Sequence, residues 1–87
     1  MYRSRANDVQ RLATRIEGVR ASVVEPARQR TEAALAGYRS GQASLAVLFE
    51  ARHMEVEARR RLLMLERDQA RAQVQLAFKP LAEGDRP

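Results

Sequence analysis

His53 and Met54 stand side by side, with Glu50 three residues before His53 and Glu57 four residues after it. A His and a Glu at helical spacing are the smallest unit that could ligate a metal ion, and such a pair binds weakly at best. Adjacent side chains diverge by about 100° on a helix, so His53 and Met54 do not chelate together. No metal site and no cofactor are expected, and Met54 and Met64 read as core filling. Arg59-Arg60-Arg61 is the candidate phosphate contact. Three consecutive helical positions span roughly 200° and form no single patch. Glu55, Glu57, Glu66 and Asp68 surround them, so a solvated face is expected and no nucleic-acid partner. There is no Cys, no Gly-rich phosphate loop, no catalytic triad and no carboxylate pair with a His. The chain is expected not to be an enzyme.

These residues need elements to hold them, and the composition points to helices. The chain has 87 residues, enough for one small domain. Hydrophobic residues are 45%, too many for a disordered tail, and charged residues 31%, too many for a membrane span. The longest apolar run, Leu45 to Phe49, falls far short of the roughly 20 residues a spanning helix needs. Ala, Leu, Arg, Glu and Gln dominate, all strong helix formers, and a β-rich fold would want more Val, Ile, Thr and aromatics. Of the 16 basic residues only Lys79 is Lys, an imbalance that reads as codon bias before it reads as phosphate binding. The fold class expected is all-α, an antiparallel two-helix coiled-coil hairpin that self-associates into a dimer or a helical bundle.

The first helix is expected over 7–40, after an N-terminal extension of 1–6. Asn7 and Gln10 fit a capping box. Val9, Leu12, Ile16, Val19 and Val23 step by 3, 4, 3 and 4, a coiled-coil seam. Pro26 predicts a kink, because it lacks a backbone donor and its ring clashes with the carbonyl four residues back. The stripe resumes as Ala27, Thr31, Ala34 and Tyr38, with its phase slipped by one residue. Gly41 and Ser44 delimit a turn at 41–44, one as a left-handed helix terminator and the other as an N-cap. The short connection makes the helices antiparallel neighbours. The second helix is expected over 45–79, stopped by Pro80, with a polar tail at 80–87. Its stripe is Val47, Ala51, Met54, Ala58, Leu62, Leu65, Ala72 and Leu76, with Gln69 as the polar step. A second stripe, Phe49, Val56, Leu63, Ala70 and Ala77, repeats every seven residues. Together they make an apolar face wider than one partner helix covers, which predicts assembly.

The run Ala33-Ala34-Leu35-Ala36-Gly37-Tyr38-Arg39-Ser40-Gly41-Gln42-Ala43-Ser44-Leu45-Ala46-Val47-Leu48-Phe49-Glu50-Ala51-Arg52 resembles the C-terminal repeat of TolC-like outer-membrane efflux factors. That family carries an Ala-rich helix, a Tyr-x-x-Gly-x-x-Ser/Thr turn and an apolar run ending in Leu-Asp-Ala. Val24-Glu25-Pro26-Ala27 is similar to the Leu-Pro step of the CzcC-like and CusC-like heavy-metal branch. The likeness spans about residues 9 to 79, a minor part of the family's usual length.

The resemblance implies a fragment of a trimeric outer-membrane efflux channel, part of a tripartite export system for heavy-metal resistance. The hairpin would be the periplasmic tip that gates the tunnel entrance and docks on a periplasmic adaptor, and through it on an inner-membrane pump. It implies gate or lumen roles for Tyr38 and Glu50 and adaptor docking by Arg39, Ser40, Gly41, Gln42, Ala43 and Ser44. Val47 and Ala43 depart from members that carry a second acidic residue and a tethering Arg there, which implies a simpler gate. The parent would sit in the outer membrane with this part on the periplasmic side, touching the membrane only through a β-barrel part absent from this sequence. Its N-terminus shows no signal peptide, so this piece alone is expected to be cytoplasmic. The alternative readings are a stand-alone coiled-coil interaction module and a basic nucleic-acid-associated hairpin.

Overall fold

A computed structural model describes the backbone of residues 2–84 and the side chains of residues 6–78. The chain is an all-α hairpin, with no strand among the described residues. Its first arm is α1 (Tyr2–Val19), a π-helical turn (Arg20–Val24) and α2 (Glu25–Arg39). Its second arm is α3 (Leu45–Gly84), which packs against all three. The arms lie side by side in a rod of 71 × 16 × 12 Å.

The one-residue slip in the first arm has a structural cause. The N–H of Glu25 donates to the carbonyl of Arg20, five residues back, so one wider turn takes up the extra residue. This turn sits directly ahead of Pro26, whose ring is incompatible with a regular turn there. No break separates the two halves of the arm: Val24 and Glu25 both keep helical dihedrals. The wider turn also changes which valine is buried. Val24 is buried and Val23 only partly so.

The core is a thin line of buried side chains: Ile16, Val19, Val24 and Ala27 from the first arm, Ala58 and Leu65 from α3. Leu12, Val23 and Leu62 pack against it. On α3 the inward positions are Leu48, Ala51, Glu55, Ala58, Leu62, Leu65, Gln69, Ala72 and Leu76, an unbroken alternation of steps of three and four. Two expected members of this stripe are replaced. Val47 and Met54 are half exposed, and Leu48 and Glu55 take the inward places. From Ala51 a step of three or of four reaches the next turn equally well, and the ion pairs that Glu55 makes with Arg59 and Arg52 compensate its place in the seam. The second stripe stays outside: Phe49, Val56 and Leu63 are exposed.

The helix ends also differ from expectation. α1 begins at Tyr2 and not at Asn7, because Tyr2 to Ala6 continue the helix without a breaker; within 1–6 only Met1 lies outside the described residues. α3 passes through Pro80 to Gly84. An interior proline removes one hydrogen bond and crowds the carbonyl four residues back, which weakens the turn but does not by itself end the helix. Of the expected tail at 80–87, residues 85–87 lie outside the described residues.

Candidate functional site

The hairpin tip is held mainly by hydrogen bonds onto the carbonyls of Gly37 and Tyr38. The Gly37 carbonyl accepts from the Gln42 N–H at 2.7 Å, the Ala43 N–H at 3.0 Å and the Ser40 hydroxyl at 3.1 Å. The Tyr38 carbonyl accepts from the Gly41 N–H at 3.1 Å. These are the 6→1 and 5→2 bonds of a Schellman motif, with Gly41 as its left-handed residue at φ +78°. The chain then enters α3, where the Ser44 hydroxyl accepts from the Val47 N–H at 3.2 Å as an N-cap. Tyr38, Gly41 and Ser44 therefore each hold one step of the reversal.

Gly37 has a role that its place in an Ala-rich run concealed. A Cβ at Gly37 would stand 2.9 Å from the Cβ of Ala43. The missing side chain lets the end of α2 close onto the residue that leads into α3. Its sequence signal was a glycine four residues ahead of the turn glycine, inside a run otherwise of good helix formers.

Arg39, Ser40, Gly41, Gln42 and Ser44 are exposed, and Ala43 is partly buried against Gly37. Tyr38 is 44% exposed on the last turn of α2. Glu50 is exposed on the second turn of α3, at the rim of an open, mainly apolar groove between α2 and α3. Ala33, Ala34, Val47 and Met54 line this groove, and Arg30 forms its opposite rim. Tyr38 is not among the residues that line this groove.

The feature that the sequence reading missed is Glu55, only 5% exposed within the seam. Its Oε2 accepts from Arg59 Nη2 at 2.8 Å and from Arg59 Nε at 3.1 Å, and Arg52 stands 3.7 Å from Oε1. The hydrogen bonds from Arg59 hold its carboxyl below the usual carboxylate range, and burial opposes this. Glu25 is lowered in the same way by Arg28, which also binds Glu32 at 2.7 Å. The i,i+4 pairing of Glu55 with Arg59 was legible, but nothing in the spacing placed its acidic partner inside the seam.

Both carboxylates have folded pKa values below the ordinary value, so their stabilisation is complete above that value and is lost as the pH falls through the depressed ones. The thermal midpoint is expected to drop between about pH 5 and pH 3, and Glu55→Gln should flatten part of that slope. A midpoint independent of pH across this window would show that these ion pairs do not hold the fold.

The three arginines diverge. Arg59 is bound to Glu55, Arg60 lies 3.7 Å from Glu57, and Arg61 lines a shallow groove with Arg15 and Asp68. His53 is exposed, and no group of three or more His, Cys, Asp or Glu side chains that could hold a metal occurs among the described residues. Met54 and Met64 lie half exposed and not in the core. No helix of the described residues is long and apolar enough to cross a membrane. Comparison with protein-family models, with curated proteins and with solved structures returned no match.

Proposed function

We propose that the chain is the helical tip hairpin of a TolC-like outer-membrane efflux factor of the heavy-metal type, gating an export conduit and docking on its periplasmic adaptor. The observation that carries this reading is the tip itself. The residues that match the family's Tyr-x-x-Gly-x-x-Ser pattern each take part in the reversal, Tyr38 as a carbonyl acceptor beside Gly37, Gly41 as the left-handed residue and Ser44 as the N-cap. The exposed side chains of Arg39, Ser40 and Gln42 are then available to an adaptor, and Tyr38 and Glu50 to an entrance lumen. A 71 Å rod with apolar side chains left outside suits a wall of packed helices.

The test is a graft. Residues 9–79 replace the matching hairpin of a TolC-like channel, and export and single-channel conductance are measured. Export is expected to be retained. Three Glu50 carboxylates at a narrow entrance attract cations, so Glu50→Gln in the graft should lower cation preference and weaken block by divalent cations. Unchanged selectivity and block would remove Glu50 from the lumen. A graft that assembles but does not export would overturn the efflux reading in favour of a stand-alone coiled-coil interaction module.

A further inference from the structure

Two different faces of α3 are left without a partner, and they complement each other. One is a ridge of Phe49, Val56 and Leu63, which are 63%, 42% and 64% exposed. Four residues after Phe49, Val56 and Leu63 come His53, Arg60 and Arg67, so helical periodicity sets a basic column along one side of the ridge. Arg60 and Arg67 are only loosely engaged, with their nearest carboxylates at 3.7 and 3.8 Å. The second face borders the groove between α2 and α3. It carries Val47 and Met54, 50% and 55% exposed, beside an acidic column of Glu50 and Glu57.

Neither face suits a copy of itself. Ridge against ridge across a two-fold axis sets the Arg60 and Arg67 columns against each other when the helices run antiparallel, and against Arg52 and Arg59, on the other side of the ridge, when the axis runs along them. The second face against itself, antiparallel, sets Glu50 and Glu57 against each other. Ridge against second face, with the two α3 helices parallel, resolves both problems. At matching height Val56 meets Met54 and Phe49 meets Val47, while the basic column lies along the acidic one.

We propose that copies of this chain dock head to tail, the Phe49–Val56 ridge of one copy against Val47 and Met54 of the next, with Arg60 opposite Glu57 of the next copy. Such a contact is heterologous, so it propagates into a ring or an open array and does not stop at a two-fold dimer. The contact needs only the hairpin and not a channel, so it stands or falls apart from the efflux reading.

A charge-swap mixture of the full chain tests it. The wild-type chain is expected to associate, by sedimentation, beyond a dimer. Glu57→Arg and Arg60→Glu should each weaken association about tenfold, since each sets like charges across every contact. Circular dichroism should show unchanged helicity, because only the loose Glu57–Arg60 pair is lost within the chain. Mixing the two variants should restore association, because alternating copies then place opposite charges at every contact. A monomeric wild type, single variants that associate as tightly as wild type, or a mixture no tighter than its components would each overturn the proposal. As an independent reading, the chain has no Cys, so Met54→Cys and Val56→Cys variants can be oxidised together on a blank background. The mixed disulfide should dominate, and a dominant Val56→Cys homodimer would establish the two-fold ridge contact instead.

Discussion

Leu65→Ala is expected to destabilise the hairpin by about 3 kcal/mol. Leu65 is 8% exposed and belongs to the buried cluster formed with Ile16, Val19, Val24, Ala27 and Ala58. Truncation removes most of its side chain and leaves a void between two helices that contribute few other large residues. The fall should therefore be a large part of the total stability of a domain this size. Leu63→Ala is the matched control. Leu63 is two residues away on the same helix but 64% exposed, and at a dilution where copies of the chain do not associate its truncation should change stability by less than about 0.5 kcal/mol. Equal losses for the two variants, measured by chemical denaturation, would mean that the seam is not the one described.

Gly37→Val should cost about 2 kcal/mol, as overpacking of a close contact commonly does. Even the first added carbon stands 2.9 Å from the Ala43 Cβ, and Ala43 has no flexible end to move aside. The strain must pass into the backbone of the turn, where the Gly37 carbonyl holds three donors. Gly37→Ala separates the contact from helix propensity, since alanine is the better helix former by about 1 kcal/mol. Gly37→Ala alone is expected to destabilise, and adding Ala43→Gly should recover most of the loss. A stabilised Gly37→Ala chain would show that propensity outweighs the contact and that the turn closes without a bare Gly37.

How far these effects were legible differs from residue to residue. Leu65, Ala58 and Leu62 follow from their spacing, because a three-four alternation on one helix leaves a single side to face a neighbour. The turn at Gly41 and Ser44 was equally plain, since few residue types tolerate a positive φ or cap a helix. Val47 and Met54 were placed inside, and Leu48 and Glu55 hold those positions. Hydropathy favours the methionine over the glutamate at that step. Only the neighbours reverse the order: Arg59 and Arg52 on the same helix pair the carboxylate, and Thr31 faces it from the opposite arm. Gly37 is the same kind of case, as its need for a bare Cα comes from Ala43, six residues on and across the turn.

The sequence by itself determined an all-α hairpin, its single reversal and most of the α3 seam, because helix periodicity, capping and glycine dihedrals are local properties of the chain. It also carried the one-residue slip ahead of Ala27. The tertiary structure decided how that slip is absorbed, as one wide turn before Pro26 that buries Val24 in place of Val23. It also decided that Glu55 is an inside residue and that the Phe49, Val56 and Leu63 stripe is left outside. These outcomes depend on which side of each helix the opposite arm occupies. One arm covers only one side of α3, so of two apolar stripes the seam can take one and must leave the other to solvent or to a partner.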